Sequence, residues 1–223
     1  MDERNSRTIK IVGEEGLAKL KAAKVLIVGV GGVGSYAAEA IARVGIGTIT
    51  VMDGDEVAVS NLNRQLVALT STLGKNKAFV MAERMKDINP EAKIKAIPEF
   101  YKPESENVEL GDYDFVIDAI DDVEAKIALV KNAKSQNVNI VSAMGAAGKL
   151  NTEFKVADIA KTAVCPLAKV VRKRLREEGI VHLPVVYSEE KPIPRDGELG
   201  SISYVPSSMG LVLAGYVIKE ITK

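Results

Sequence analysis

Charged side chains suited to phosphate chemistry follow a glycine cluster in this chain. The cluster is Gly29-Val30-Gly31-Gly32-Val33-Gly34, and Arg64, Lys77 and Asp121 come later. Glycines let backbone N–H groups approach phosphate closely, while arginine offers a planar fork and lysine a compact charge to phosphate oxygens. A carboxylate suits Mg²⁺, which takes one or two carboxylates together with phosphate oxygens. The combination is expected for attack on the α-phosphate of ATP.

The residues around the cluster favour a nucleotide site over an ordinary tight turn. An apolar run at 25–28 precedes the glycines, and a helix signal rich in small residues follows them. Asp53, which closes the next apolar run, comes about 20 residues after the last glycine, where a carboxylate can accept hydrogen bonds from ribose. The glycines and Asp53 alone leave a dinucleotide or ATP open. Arg64 and Lys77 favour ATP, because these two side chains would have no role in an NAD-dependent oxidoreductase.

Strand and helix signals alternate through the first 145 residues. The apolar patterns predict strands at 25–28, 48–52, 93–97, 115–117 and 138–142, and helices at 14–21, 35–43, 74–89 and 123–136. Alternation of this kind predicts an α/β fold, with a mostly parallel Rossmann-like sheet covered by helices on both faces. Ligands on such sheets bind at the carboxyl ends of the strands, where the glycine cluster and Asp53 fall.

The pattern after residue 145 is less regular. It predicts a helix at 166–178, a loop rich in proline, glycine and charge at 185–200, and an apolar helix at 208–221. We expect one domain over 1–223, with a nucleotide-binding core at 1–145 and a smaller subregion at 146–223 for substrate or dimer contacts. Lys169, Arg172, Lys173 and Arg176 form either a solvated face of the helix at 166–178 or a surface that tracks phosphates.

Composition excludes several classes of protein. The 223 residues carry 30 basic and 30 acidic side chains, so a polyanion-binding surface over the whole protein is not indicated, although a local basic patch remains open. The single cysteine, Cys165, excludes an internal disulfide and a multi-cysteine zinc site.

A charged N-terminus without an apolar signal region predicts a cytoplasmic protein, and the helix at 208–221 is too short to span a membrane.

A family resemblance adds to these observations. The glycine cluster, Asp53-Gly54-Asp55, Asn61-Leu62-Asn63-Arg64-Gln65, Lys77 and Asp118-Ala119-Ile120-Asp121 resemble the ubiquitin-activating-enzyme-like, or ThiF-type, adenylyltransferases. The likeness covers nearly the whole chain. Later stretches, among them Ser142-Ala143-Met144-Gly145 and Pro166-Leu167-Ala168-Lys169, resemble the tRNA-modifying branch of this superfamily. Many carrier-activating relatives use two cysteine pairs for zinc, and their absence here favours that branch.

The resemblance implies roles for individual residues. ATP and Mg²⁺, but no zinc, are the implied cofactors, and Arg64, Lys77 and Asp121 are the implied catalytic residues, with Asp121 orienting Mg²⁺. The implied nucleotide site consists of Gly29, Gly31, Gly32, Gly34, Asp53, Asp55, Asn61, Asn63, Arg64, Gln65 and Lys77.

The resemblance also implies a reaction and partners. The branch cyclises threonylcarbamoyladenosine in the anticodon loop of tRNA to a hydantoin, with ATP, through an acyl-adenylate. The alternative function is adenylation of the C-terminus of a ubiquitin-like sulfur carrier. A further alternative is a sensor that binds the nucleotide without turnover. A homodimer is implied in which Arg4, Arg7 or Lys10 reaches the partner subunit's phosphates, and a sulfur-relay protein is an additional implied partner.

Overall fold

Seven strands form a single twisted sheet in the computed structural model, which describes residues 3–105 and 108–223. The strand order is β3-β2-β1-β4-β5-β7-β6. All neighbours pair in parallel except β6 and β7, which are antiparallel. The strands are β1 (Lys24–Val28), β2 (Thr48–Met52), β3 (Lys93–Ile97), β4 (Phe115–Asp118), β5 (Asn139–Ala143), β6 (Lys155–Asp158) and β7 (Pro184–Tyr187).

Helices cover both faces of the sheet, as the alternating pattern predicts. They are α1 (Ser6–Ala22), α2 (Gly34–Val44), α3 (Lys77–Ile88), α4 (Val123–Ser135), α5 (Pro166–Glu177) and α6 (Tyr204–Thr222). In β1, Val25 and Ile27 face a core shared with α1, α2, α3 and α6, whereas Leu26 and Val28 face one shared with α4 and α5. Burial on both faces explains why the central strands are apolar at successive positions rather than at alternate ones.

Two strands after residue 145 differ from the prediction. The loop predicted from 185 is wrong at its start, because Val185, Val186 and Tyr187 are buried and pair with β5 on one side and β6 on the other. Pro184 can begin this strand, since proline is tolerated at a first strand position. The edge strand β6 was missed because its residues are exposed or half-buried, so it carries no apolar alternation.

The first and last helices are longer than their patterns indicate. Helix α1 begins at Ser6 rather than near residue 14, and it breaks at Gly13, whose φ of 74° is not helical. Helix α6 begins at Tyr204 and includes Pro206 in its first turn, where a missing N–H costs no helical hydrogen bond.

Helix α6 returns the end of the chain to the glycine cluster. A Cβ at Gly210 would lie 2.2 Å from the carbonyl oxygen of Val33 and 3.1 Å from the nitrogen of Ala37, so α6 packs directly on the start of α2. The segment after 145 thus continues the same sheet and packs against the same core, while a division of labour at residue 145 stays a prediction. None of the helices in the described residues has the length and apolar character that a membrane crossing requires.

Candidate active site

The turn between β1 and α2 leaves no room for side chains at two of its glycines. Gly29 has a φ of +89°, and a Cβ there would lie 2.7 Å from the carbonyl oxygen of Ala119 in the β4–α4 loop. A Cβ at Gly34 would lie 1.8 Å from the carbonyl oxygen of Gly29. These two glycines therefore permit the turn itself, and they bring it against the loop that carries Asp121.

The middle of the turn leaves backbone donors free. Among the described residues, the N–H groups of Gly31 and Gly32 donate to no other group. A Cβ at Gly31 would approach only Gln65, with its Nε2 at 3.8 Å, so this side of the turn is open. Free N–H groups just before a helix N-terminus form a favourable site for a phosphate, because the helix dipole acts in the same direction.

Asp53 fixes the glycine turn to the end of β2. Its Oδ2 accepts a hydrogen bond from the Val30 nitrogen at 2.6 Å, and its Oδ1 accepts one from the Asp55 nitrogen at 2.8 Å. Burial raises the pKa of the Asp53 carboxyl above its ordinary value, and the two backbone hydrogen bonds oppose that rise. Each carboxylate oxygen retains acceptor capacity, so Asp53 can hold a ribose hydroxyl while it holds the turn.

Lys77 begins α3 and is nearly buried at 5 % exposure. Its Nζ lies 2.7 Å from Asp55 Oδ2. Asn76 positions Lys77. The Asn76 Oδ1 caps α3 by accepting hydrogen bonds from the nitrogens of Ala78 and Phe79. The Asn76 Nδ2 donates to the carbonyl oxygens of Asp53 and Asp55 at 3.1 Å each. Sequence reasoning missed Asn76, although an asparagine directly before a helix is a common N-cap signal.

Arg64 lies beside the glycine turn, in the turn that follows a short 3₁₀ helix at Val59–Asn61. A Cβ at Gly32 would lie 3.4 Å from Arg64 Cγ, and the Arg64 Nη1 donates to Asn63 Oδ1 and to the carbonyl oxygen of Ser60, each at 2.9 Å. The Asn63 Nδ2 donates in turn to the carbonyl oxygen of Ser201 at 2.8 Å. Asn63 therefore links the arginine to the segment between β7 and α6.

The two other polar residues of this motif are buried. Asn61 Oδ1 accepts a hydrogen bond from the Ala58 nitrogen at 3.0 Å, which closes its own turn. Gln65 is 8 % exposed, and its Oε1 has no hydrogen-bond partner among the described residues. A buried acceptor without a partner is costly, so Gln65 beside the open side of Gly31 fits a position that a ligand or water completes.

The two aspartates of the Asp118-Ala119-Ile120-Asp121 motif divide into a buried one, which ends β4, and an exposed one, which follows it. Asp118 accepts hydrogen bonds from Lys126 Nζ at 2.8 Å and from the Ile120 nitrogen at 3.1 Å, and it is completely buried. Asp121 is exposed in the loop that touches Gly29. Lys126 was missed by sequence reasoning, and its only signal is a lysine on the apolar face of a helix eight residues after an aspartate.

The predicted site residues thus gather at the carboxyl edge formed by β2, β1 and β4. Asp53 ties β2 to the glycine turn, Arg64 packs against that turn, and the Asp121 loop touches it from the β4 side. Lys77 joins the group through Asp55. Backbone donors, two cations and carboxylates around one turn are the groups required to bind a nucleoside triphosphate and to stabilise charge as a phosphate bond breaks.

Fold and site together define a Rossmann-like α/β protein with a glycine turn at the carboxyl edge of its sheet. The ThiF family's sequence model matches residues 3–223, and the chain belongs to the ThiF family. It is 43% identical over 240 residues to the tRNA threonylcarbamoyladenosine dehydratase of Bacillus subtilis, a match that covers 98% of this chain and 94% of that protein.

Solved structures agree with the predicted fold class. The Escherichia coli tRNA N6-threonylcarbamoyladenosine dehydratase in complex with ATP is 37% identical, with a TM-score of 0.90 over 98% of this chain and 93% of that one. The sulfur carrier protein adenylyltransferase of Thermus thermophilus is 38% identical over only 110 residues, 49% of this chain and 41% of that protein. The prediction of a Rossmann-like ThiF-type fold is confirmed.

Proposed function

We propose that this protein uses ATP to cyclise threonylcarbamoyladenosine in tRNA through an acyl-adenylate. The observation that carries the proposal is the carboxyl-edge cluster around a turn with free N–H donors, in a chain that matches tRNA-modifying dehydratases over nearly its full length. The sulfur-carrier alternative has less support, because its likeness extends over about half of the chain.

The nucleotide would bind along the edge from β2 to β4. The N–H groups of Gly31 and Gly32 would hold phosphate oxygens, and Asp53 would hold the ribose. Arg64 and Lys77 would contact the triphosphate, which would draw Lys77 from its present partner, Asp55. The Oε1 of Gln65, a buried acceptor without a protein partner among the described residues, supports this arrangement, since a donor on the nucleotide would satisfy it.

Asp121 is the residue we assign to Mg²⁺. No group of three or more histidine, cysteine, aspartate or glutamate residues within 3–105 and 108–223 is arranged to hold a metal ion. A magnesium ion would therefore share the exposed Asp121 carboxylate with phosphate oxygens and water, as this ion commonly does. When bound, it would neutralise charge on the departing pyrophosphate.

The chemistry then has two steps. A carboxylate oxygen of the threonyl group attacks the α-phosphorus of ATP, the bond to the bridging oxygen breaks, and pyrophosphate leaves. The carbamoyl nitrogen next attacks the activated carbonyl carbon, loses its proton and expels AMP, which closes the ring. The net change in the nucleoside is the loss of one water. Arg64 and Lys77 would stabilise charge in the first step, and the glycine turn would align the phosphate.

Assembly and location extend the proposal. We propose a homodimer in which the N-terminus of one subunit, with Arg4, Arg7 or Lys10, reaches the phosphates of the other. A tRNA substrate would place the protein in the cytoplasm, and a sulfur-relay protein would be an additional partner.

Mass spectrometry of a reacted tRNA tests this function. The protein is incubated with ATP, Mg²⁺ and tRNA that carries threonylcarbamoyladenosine, and the digested nucleosides are examined for the loss of one water. We expect that loss only when ATP is present. Two results together would contradict the proposal and support the carrier alternative. The nucleoside would stay unchanged, and ATP–pyrophosphate exchange would depend on a ubiquitin-like sulfur carrier with a Gly-Gly C-terminus.

A further inference from the structure

Helix α5 concentrates positive charge in a chain whose net charge is zero. Its twelve residues, Pro166–Glu177, hold five basic side chains and one acidic side chain, Glu177. The basic residues are Lys169, Arg172, Lys173, Arg174 and Arg176. Uneven charge of this kind on one helix produces a local positive potential that the composition of the whole chain hides.

Two of the five cations are occupied within the protein. Arg172 is half-buried, and its Nη1 donates to Thr162 Oγ1 at 2.6 Å and to the Thr162 carbonyl oxygen at 3.0 Å. Arg174 forms a two-pronged pair with Glu124, with Nη2 and Oε2 2.7 Å apart. Both side chains thus anchor α5 to its neighbours rather than face a partner.

The other three cations form one stripe on the exposed side of α5. Lys169, Lys173 and Arg176 are spaced by four and three residues, which places them on a single helix face about 10 Å long. Lys173 lies 3.8 Å from Glu177, with both side chains mostly exposed. Among the described residues, Lys169 and Arg176 have no ion pair.

The stripe begins near the candidate active site. Cys165, the N-cap of α5, is buried, and a Cβ at Gly145 would lie 3.5 Å from its Sγ. Gly145 follows β5, which pairs with β4, and the loop after β4 carries Asp121. The N-terminus of α5 therefore lies toward the carboxyl edge of the sheet that holds the site.

We propose that Lys169, Lys173 and Arg176 form a docking surface for the phosphodiester backbone of the tRNA substrate. The inference rests on the proposed function, because a tRNA that presents one nucleotide to the carboxyl edge must extend across the neighbouring surface. Charge complementarity selects the partner, since three cations in a row without strong internal partners match a strand of evenly spaced phosphates. Contacts of this type position the RNA and carry no sequence information.

A triple variant, Lys169→Gln/Lys173→Gln/Arg176→Gln, tests the surface. The matched control is Lys86→Gln/Lys93→Gln/Lys95→Gln, which removes three exposed charges on and next to β3, at the other end of the sheet. Binding of tRNA that carries threonylcarbamoyladenosine is measured over a salt series, together with the KM for tRNA and for ATP. The mass of each variant in solution is measured by light scattering.

For the α5 variant we expect tRNA binding to weaken about tenfold, and the slope of log Kd against log salt to fall by about 2, as for three lost phosphate contacts. The KM for tRNA should rise in parallel, while the KM for ATP and the control variant should stay at wild-type values. Equal tRNA binding by both variants, or a changed oligomeric mass of the α5 variant, would overturn the proposal. Wild-type protein that binds tRNA but forms no dehydrated nucleoside would instead contradict the proposed function, and the binding comparison would still decide the role of α5.

Discussion

Lys126 and Asp118 form an ion pair at 2.8 Å in which both side chains are completely buried. The same lysine donates to the carbonyl oxygen of Ala143 at 3.1 Å, so it joins the ends of β4 and β5 beneath the loop that carries Asp121. Two charges removed from water contribute little net stability as a pair, but either one alone is strongly unfavourable. The pair therefore joins the last residue of β4 to the end of β5, and Asp118 also accepts a hydrogen bond from the Ile120 nitrogen in the loop that carries Asp121.

Removal of the lysine alone should destabilise the protein severely. We expect Lys126→Met to lower the free energy of unfolding by about 3–5 kcal/mol, because Asp118 then remains as an unpaired buried charge. The double variant Lys126→Met/Asp118→Asn should recover part of that loss. Urea unfolding provides the measurement. The control is Lys131→Met, whose partly exposed pair with Glu178 should contribute less than about 1 kcal/mol. Equal losses for Lys126→Met and Lys131→Met would contradict this account of the buried pair.

Loss of Arg64 or Asp121 should slow turnover strongly without unfolding the protein. Neither side chain is part of the apolar core, and we assign both to charge stabilisation on ATP. We expect Arg64→Ala and Asp121→Ala each to raise the activation barrier by about 2–4 kcal/mol. Steady-state kinetics measures this effect, with thermal unfolding as the check on the fold and Lys95→Ala as the control. A variant that unfolds would show a structural role instead.

Asn63 should act by orienting Arg64. Its Oδ1 accepts from Arg64, and its Nδ2 donates to Ser201. We expect Asn63→Ala to raise the KM for ATP, because the guanidinium loses one of its two anchors. Steady-state kinetics with ATP as the varied substrate measures this KM, and Lys95→Ala is the control. An unchanged KM for ATP in Asn63→Ala would show that the bond to Ser60 alone is sufficient to orient the guanidinium.

The stability that the contact between α2 and α3 contributes should depend on pH. Glu39 accepts hydrogen bonds from Arg84 and Arg43. Burial raises the pKa of Glu39, but these hydrogen bonds outweigh burial and hold it below its ordinary value of 4.5. Because the folded protein then binds the proton less tightly than the unfolded chain, the stabilisation is present above pH 4.5 and disappears as the pH falls through the folded-state pKa.

Glu39→Gln measures this contribution. At neutral pH the variant should be about 1–2 kcal/mol less stable than wild type, and the difference should shrink as the pH drops below 4.5. Denaturant unfolding at several pH values gives both curves. Glu83→Gln is the control, since Glu83 forms no ion pair among the described residues. A difference that stays constant down to low pH would show that packing, rather than charge, stabilises this contact.

Local signals were sufficient for the first half of the fold. The strands at Thr48–Met52 and Lys93–Ile97 have the predicted bounds, because each is a short apolar or alternating run between turn residues. The glycine turn and Asp53 were predictable for the same reason, since their roles follow from spacing along the chain. The Val30 nitrogen donates a hydrogen bond to Asp53, so the turn and the aspartate lie at the same edge of the sheet, while their roles toward a nucleotide stay predictions.

Residues that act through tertiary contacts were beyond sequence reasoning. Strand β6 carries no apolar pattern because it lies at the sheet edge, and it exists through its pairing with β7. The sequence does not distinguish Lys126 from an exposed lysine on a helix. Only the structure shows its ion pair with Asp118. The roles of individual site residues toward ATP stay predictions, because sequence and fold place them at one edge without showing what they hold.

The most direct test of the central claim follows the fate of a carboxylate oxygen. The tRNA is prepared with ¹⁸O in both carboxylate positions of its threonylcarbamoyladenosine, and the protein, ATP and Mg²⁺ are added. If the carboxylate attacks the α-phosphorus, one ¹⁸O atom must appear in AMP for each dehydrated nucleoside formed. Label that appears in inorganic phosphate, or a dehydrated nucleoside without labelled AMP, would contradict the adenylation chemistry proposed for the Arg64 and Lys77 edge.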